Sequence, residues 1–173
     1  MVNVVIVFNP LVGYLKPHGS AYIGDEKAEK IKKDLKAYLK NVDTNNTKVF
    51  FTREVRSLED KYHVAKTSGF FVGSDDIEVV ESFKYFCNTI INTLRANALF
   101  KTPLLSELRK LDVHKITLMG LELSSSIIFT ASELRNLGYA IEVLEPLTTS
   151  SSSYLHSAAI SLAGTEGVSF VRE

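Results

Sequence analysis

A run of serines after an apolar stretch contains a candidate nucleophile. Gly120 ends the apolar stretch, and Ser125 and Ser126 begin a predicted helix. Backbone N–H groups at the start of a helix favour developing negative charge, which would assist a nucleophilic serine. Such a serine also needs a base within hydrogen-bonding reach, and the neighbouring positions offer none. We therefore favour a simpler interpretation, in which Ser124 caps the helix and the next two serines are small first-turn residues.

Three other polar residues follow predicted strands and are candidates for binding a ligand. Asn9 has an amide that could hydrogen-bond a ligand but has no useful basicity, and it could equally begin a turn before Pro10. Arg95 could bind a carboxylate or phosphate through two parallel hydrogen bonds, although an arginine after a strand is more often a surface group. Glu122 could face a ligand or an interface, although an isolated acid is more often simply exposed.

The remaining reactive side chains show no arrangement typical of a metal site. His18, His114 and His156 lack the spacing of metal ligands, and we expect neither a metal nor a cofactor. Cys87 is the single cysteine and lies among aromatic residues, so we predict a packing role with no special reactivity. A lone thiol also suits a reducing compartment.

The spacing of apolar residues predicts alternating strands and helices. We expect strands over residues 4–8, 47–52, 88–93, 115–119, 139–144 and 168–171, and helices over 23–39, 102–111, 125–137 and 154–163. Such alternation predicts a three-layer αβα domain with a mostly parallel sheet of about six strands. The length suits a single domain spanning residues 1–173. Residues 53–86 show no sustained period, and no element is predicted for most of them.

Composition and charge narrow the classes of partner. Lys and Arg together number 20, as do Asp and Glu, so the formal net charge is zero. A nucleic-acid-binding protein usually has a basic excess, so we expect no nucleic-acid partner. The apolar start of the chain lacks a basic head and a small-residue cleavage site, and it is too short to span a membrane. We therefore predict a cytoplasmic protein with no membrane partner.

Several short motifs, taken in order, resemble one family of hydrolases. Residues 120–126 read Gly-Leu-Glu-Leu-Ser-Ser-Ser, with Thr130 and Gly138-Tyr139 downstream, and residues 97–109 read Asn-Ala-Leu-Phe-Lys-Thr-Pro-Leu-Leu-Ser-Glu-Leu-Arg. With their spacing, these motifs resemble those of the isochorismatase-like hydrolases, which include nicotinamidases, other amidohydrolases and isochorismatases. The resemblance covers nearly the whole chain and implies the same Rossmann-like α/β fold. Only His63 and Gly69 loosely fit the family's His-rich turn.

The resemblance also implies that all three catalytic positions differ from the family pattern. Hydrolases of this family use an Asp that moves protons, a Lys that lowers the pKa of a thiol, and a Cys whose thiolate attacks an amide carbon. The matching positions here are Asn9, Thr93 and Ser126. The Asp-x-His metal motif of nicotinamidases is matched by residues 54–56, Glu-Val-Arg, which lack the imidazole ligand. The resemblance therefore implies a divergent member without the Asp-Lys-Cys triad.

Three functions fit this sequence. The leading hypothesis is a pseudoenzyme that binds a small molecule or assembles with itself or another protein, with Arg95, Glu122, Ser125 and His63 as ligand-binding candidates. The second is an active hydrolase of a small amide, ester or vinyl ether, using Ser126 or a bound water. The third is a structural or interaction role through the aromatic residues of segment 70–86. Because members of this family commonly associate, we expect a homodimer or a higher homo-oligomer.

Overall fold

The computed structural model describes residues 1–60 and 69–172 of the chain, and six parallel strands lie within them. The strands are β1 (Val2–Phe8), β2 (Thr47–Glu54), β3 (Ile90–Thr93), β4 (Val113–Leu121), β5 (Ile141–Thr149) and β6 (Ser169–Val171). They form one sheet in the order β3-β2-β1-β4-β5-β6, and each neighbouring pair is parallel. The predicted α/β fold with a mostly parallel sheet of about six strands is confirmed.

Helices cover both faces of the sheet. One face carries α1 (Val12–Leu15), α2 (Asp25–Lys40) and α3 (Glu81–Lys84), and the other carries α4 (Leu104–Arg109), α5 (Ile128–Asn136) and α6 (Ser153–Thr165). A 3-10 turn, Asp75–Ile77, precedes α3, and a π-helical turn, Leu123–Ile127, leads into α5. These layers form the predicted αβα arrangement. Among the helices described, none is both long enough and apolar enough to cross a membrane.

Strand β1 shows why an unbroken apolar run was a reliable strand signal. Val4, Ile6 and Phe8 pack into the core beneath α4, α5 and α6, whereas Val5 and Val7 pack into the core beneath α1, α2 and α3. All five are at most 2% exposed. A parallel sheet covered on both faces takes apolar residues at successive positions, and each such side chain contributes roughly 1.5–3 kcal/mol of burial free energy.

Two predicted helices have different limits in the structure. The helix expected at 102–111 covers only Leu104–Arg109, although the Thr102 hydroxyl does accept the N–H of Leu104 at 3.3 Å. The helix expected at 125–137 begins earlier, with a π-helical turn whose capping position is Glu122. Ser124 therefore lies inside the turn, and the prediction that it caps the helix is wrong.

Part of segment 70–86 turns inward. Phe70 and Phe83 are 1% and 0% exposed and belong to the core beneath α2, whereas Tyr85 is 88% exposed. The hypothesis that the aromatic residues of this segment form an interaction surface is wrong for Phe70 and Phe83. Their burial instead anchors the loop that precedes α3 against the sheet.

Candidate functional site

The candidate site lies where β1, β2, β3 and β4 reach their carboxyl ends. In the sheet register, Phe8 of β1 pairs with Thr52 of β2 and with Gly120 of β4. Gly120 has a φ of +109°, and a Cβ at this position would lie 2.3 Å from the carbonyl oxygen of Phe8. Only glycine lets the two strands approach in this way. The close approach brings the backbone of Leu121 beside Asn9.

Asn9 is engaged at both ends of its amide. It is 1% exposed and has a φ of +47°, in the left-handed region that asparagine tolerates better than most residues. Its Nδ2 donates to the carbonyl oxygen of Leu121 at 3.0 Å, and its Oδ1 accepts the backbone N–H of Glu54 at 2.9 Å. The side chain therefore links β1 to β2 on one side and to the end of β4 on the other.

The same amide reaches Ser126. Nδ2 of Asn9 donates to the Ser126 Oγ at 3.4 Å, so the structure brings these two predicted site residues together. Ser126 is half-buried in the π-helical turn, where its carbonyl oxygen accepts the hydroxyl of Thr130 at 2.7 Å. An amide N–H that points at a hydroxyl oxygen cannot remove the hydroxyl proton. Asn9 therefore does not supply the base that a serine nucleophile requires.

Thr93 and Arg95 lie on the far side of β2 from Asn9. Thr93 is 4% exposed, and its hydroxyl donates to the carbonyl oxygen of Arg53 at 3.5 Å. Arg95 forms an ion pair with Asp60 at 2.6 Å and also donates to the carbonyl oxygen of Leu94 at 2.7 Å. The position that the resemblance matches to the family's lysine thus holds a neutral, buried side chain, and Arg95 is paired with an acid of its own.

Glu122 is buried, in contrast to the exposed position that we favoured for an isolated acid. It is 8% exposed, and its carboxylate oxygens accept the backbone N–H of Ser151 at 3.0 and 3.1 Å. The hydroxyl of Ser124 also donates to it, at 3.4 Å. Burial raises the pKa of Glu122, and the hydrogen bonds from Ser151 and Ser124 partly oppose that rise. The acid therefore joins the turn after β4 to the loop before α6.

The other two ligand-binding candidates are less informative. Ser125 is half-buried in the π-helical turn, and its backbone N–H donates to the carbonyl oxygen of Glu122 at 3.3 Å. His63 lies outside the described residues. Of the predicted site residues, the structure thus gathers Asn9, Glu122, Ser125 and Ser126 around one turn.

Sequence reasoning missed a charged network at the end of β2. The Glu54 carboxylate accepts Nε and Nη2 of Arg56 at 3.0 and 2.5 Å and the hydroxyl of Tyr14 at 2.7 Å. The guanidinium also lies over the ring of Phe70, with 5.2 Å from Cζ to the ring centroid. The side chains of Arg56 and Glu54 are only 10% and 19% exposed. Opposite charges two residues apart at a strand end were the one sequence signal of this network.

The electrostatics of Tyr14 reflect its place in that network. Burial raises the pKa of the phenol well above its usual value, and the neighbouring Glu54 carboxylate raises it further by charge and by hydrogen bonding. Tyr14 is therefore a fixed hydrogen-bond donor to Glu54 and not a proton-transfer group at neutral pH.

The residues at the end of β2 do not fit a nicotinamidase-type metal ion. The resemblance matches Arg56 to the imidazole ligand, and its guanidinium already neutralises the Glu54 carboxylate within hydrogen-bonding distance. A cation would have to displace this buried partner, and guanidinium has no lone pair to offer a metal. Among residues 1–60 and 69–172, no three His, Cys, Asp or Glu side chains are grouped as metal ligands.

The single thiol is not an activated nucleophile. Cys87 is partly buried against the core beneath α2, beyond the end of α3. Burial raises the pKa of this thiol to about 11, although the charge of Arg53 acts in the opposite direction. The thiolate is therefore scarce at neutral pH, which agrees with the predicted packing role.

Known proteins share this architecture over almost the whole chain. The pyrazinamidase/nicotinamidase from Streptococcus mutans UA159 has a TM-score of 0.85 at 20% identity, covering 98% of this chain and 99% of that one. The N-carbamoylsarcosine amidase from Thermoplasma acidophilum has a TM-score of 0.82 at 15% identity, covering 99% and 96%. The pyrazinamidase of Pyrococcus horikoshii, solved in complex with zinc, has a TM-score of 0.84 at 14% identity and covers 100% of both chains.

At these identities the likeness to solved structures establishes the fold alone. Comparison with the sequences of curated proteins gave no significant match. The family model of the Isochorismatase domain, in contrast, matches residues 3–170, which begin within β1 and end within β6. The resemblance seen in the short motifs thus extends along the sheet and its helices. This chain belongs to the isochorismatase family.

Proposed function

We propose that this chain is a non-hydrolytic member of its family that binds a small polar molecule at the carboxyl ends of its strands. The observation that carries the proposal is the amide of Asn9, which donates to Leu121 and to Ser126 and accepts from Glu54. A proton-transfer group at this position would need a site for a proton. The amide offers none, and its hydrogen bonds join strands.

The other two catalytic positions support the same conclusion. Thr93 is neutral and buried, so it cannot lower the pKa of a nucleophile by charge. The cation at the end of β2, Arg56, is paired with Glu54. The Ser126 hydroxyl receives a hydrogen bond and has no described base beside it. Each element of the family's chemistry is replaced by a group that is already engaged in holding the fold.

The position of the remaining polar groups favours binding. Parallel α/β sheets bind ligands beyond the carboxyl ends of their strands, and Ser124, Ser125 and Ser126 lie there, half-buried. Hydroxyl groups can both donate and accept hydrogen bonds, so this turn can recognise a polar molecule without acting on it. Glu122 holds this turn against the loop before α6, because its carboxylate accepts hydrogen bonds from the Ser124 hydroxyl and from the N–H of Ser151.

The alternative is a hydrolase in which Ser126 or a bound water attacks a small amide, ester or vinyl ether. Its support is the position of Ser126, which is partly exposed near the start of a helix, where backbone N–H groups favour negative charge. It requires a base that the described contacts of Ser126 do not provide.

One experiment separates the two functions. Purified protein is incubated with a panel of small amides, esters and vinyl ethers while product release and thermal shift are both measured. We expect a stabilising ligand and no turnover. The Ser126→Ala variant is measured in parallel, with Ser106→Ala on the exposed side of α4 as its matched control. Turnover by the wild type that disappears only in Ser126→Ala would overturn the proposal in favour of the hydrolase.

We further propose that the chain forms a homo-oligomer through α6. Tyr154, Leu155 and Leu162 are 80%, 51% and 62% exposed, and residues 153–165 include no Asp, Glu, Lys or Arg. Two copies could pair this helix without bringing like charges together. Light scattering after size exclusion should show an oligomer that Leu155→Glu converts to a monomer. A wild-type monomer at micromolar concentration would contradict this arrangement.

A further inference from the structure

A second cavity lies apart from the candidate site, between α2, the second half of β5, the start of α6 and the end of the chain. Its volume is about 330 Å³. Pockets for small molecules usually occupy about 300–1000 Å³, so the cavity is large enough for a compact ligand. Its lining includes neither Asn9 nor Ser126.

The lining of this cavity is rich in positive charge. It contains Lys27, Lys30 and Arg172 against one carboxylate, Glu145, so the excess is two positive charges when His156 is neutral. The chain as a whole has no net charge, so this excess is local. Arg172 pairs with Glu145 through Nε at 2.9 Å, and the Arg172 side chain is 72% exposed, whereas that of Glu145 is 26% exposed. Exposed pairs of this kind are weak and can be exchanged for a bound anion.

Lys30 has a similar exposed partner. Its ammonium lies 2.6 Å from Asp34, one turn further along α2 and outside the cavity lining. The Lys30 side chain is 66% exposed, so its charge can turn towards a ligand with little loss of free energy. Even with Asp34 counted against it, the cavity keeps a net positive charge.

Lys27 differs because its charge is fixed in place. Its Nζ donates to the carbonyl oxygens of Ser150 and Ser151 at 3.0 and 3.2 Å. The loop that it holds leads directly into α6, whose first turn is capped by Ser152. The positive end of the α6 dipole therefore adds to the positive potential of the Lys27 ammonium, whose position is already fixed. A cation held before binding lowers the entropy cost of recognising an anion.

The remaining walls indicate the rest of the ligand. Ile31 and Pro146 supply apolar surface, and Thr149 adds a hydroxyl-bearing side chain at the end of β5. His156 lines one side of the cavity, and its Nδ1 is hydrogen-bonded to the Ser150 hydroxyl at 3.3 Å. A purely inorganic ion would leave the apolar walls without a partner.

We propose that this cavity binds a small organic anion, with a carboxylate or phosphate group among Lys27, Lys30 and Arg172 and an apolar part against Ile31 and Pro146. This inference goes beyond the proposed function because it concerns a different cavity. The two places are nevertheless linked, since the Ser150 hydroxyl that bonds His156 also accepts the N–H of Ser124 at 3.2 Å.

Isothermal titration calorimetry on the full chain tests this proposal, with phenyl phosphate, benzoate and the neutral analogue benzyl alcohol as probes. We expect at least one anion to bind and benzyl alcohol to bind far more weakly. The tighter of the two anions identifies the chemical class of the ligand. If neither anion binds at millimolar concentration, or if benzyl alcohol binds as well as they do, the proposal is overturned.

Paired variants locate the binding. Lys30→Gln/Arg172→Gln removes two exposed cations from the cavity, and we expect roughly tenfold weaker binding because two charge-assisted contacts are lost. Lys33→Gln/Lys36→Gln removes the same charge from exposed positions of α2 outside this cavity and should leave the affinity unchanged. Equal loss in both pairs would show non-specific attraction, and loss in Ser126→Ala would place the probe in the candidate site. Either result would refute the proposal, as would unchanged binding by the cavity pair.

Discussion

The two halves of the candidate site bury polar groups in different ways. At the ends of β1 and β2, Glu54 and Arg56 neutralise each other, and Asn9 satisfies the backbone of two neighbouring strands. At the ends of β4 and β5, Glu122 is buried with no cation among its described partners, and it is held by the N–H of Ser151 and by hydroxyl groups. One half is closed by charge pairing, and the other is held by hydrogen bonds from uncharged donors to Glu122.

This difference shows which half can still respond to a ligand. In the first half, each buried charge already has a partner, so a ligand would have to break an ion pair to bind there. In the second half, the hydroxyls of the π-helical turn are only half-buried and can change partners at little cost. We therefore expect substitutions in the first half to act mainly on stability and those in the second half to act mainly on binding.

The largest effect should come from breaking the charge pair. In Arg56→Leu, the mostly buried Glu54 loses its cation, and we expect unfolding free energy to fall by about 3 kcal/mol. Glu54→Gln/Arg56→Leu should recover part of the loss because no buried charge remains. Urea denaturation measures both variants. Arg53→Gln on the same strand is the control, since the Arg53 side chain donates to the exposed side chain of Asn92. Equal losses of unfolding free energy in Arg53→Gln and Arg56→Leu would show that the buried ion pair stabilises the first half no more than an exposed contact does.

A smaller loss should follow from placing an acid at residue 9. In Asn9→Asp an oxygen replaces Nδ2, which now donates to the carbonyl oxygen of Leu121 at 3.0 Å, so two acceptors would face each other. We expect a loss of about 2 kcal/mol in urea denaturation and no gain of hydrolysis. Asn92→Asp, beside Arg53 on the surface, is the matched control and should change stability by less than about 1 kcal/mol. A fully stable Asn9→Asp would show that the amide is not needed to join the strands.

The smallest effect should be a pH dependence from Glu122. Its folded pKa is raised by burial, so the folded state holds this proton more tightly than the unfolded state does. The stability that the proton contributes is present at low pH and is lost as pH rises through the folded pKa. Glu122→Gln lacks this titration, so its stability relative to the wild type should increase from pH 4 to pH 7.

Glu122→Ala separates titration from hydrogen bonding. It also lacks the titration, but it gives the N–H of Ser151 no acceptor, so it should be less stable than Glu122→Gln at every pH. A difference in unfolding free energy between Glu122→Gln and the wild type that stayed constant with pH would mean that the pKa of Glu122 is unshifted. The contrast between the two halves of the site would then lose its electrostatic basis.

The sequence predicted the scaffold well because the scaffold depends on local pattern. The apolar run of β1 and the spacing of Ala28, Ile31 and Leu35 on α2 each indicate an element by themselves, and both are buried as expected. The family resemblance matched Asn9 and Ser126 to two catalytic positions, but the sequence did not show that they meet, and the structure brings them together. Local pattern and family order together were enough for the fold.

The rest of the site depends on partners far apart in the chain. Glu122 is buried because Ser151, in another loop, supplies its hydrogen bonds, and Tyr14 donates to Glu54 across a comparable separation. No short window of sequence contains such a pair. The π-helical turn was missed for a related reason, since its start is set by the packing of Leu123 and Ile127 in the core and not by a capping serine.

The left-handed backbone at residue 9 also bears on how the site could have changed over evolutionary time. A φ of +47° suits glycine, asparagine and aspartate far better than other residues, so few substitutions are open to drift there. Codons for aspartate and asparagine differ by one base, so an exchange in either direction is a single genetic step. A change from asparagine to aspartate is thus short in the gene. In the protein it is opposed, because the Leu121 carbonyl now depends on a donor that aspartate cannot provide.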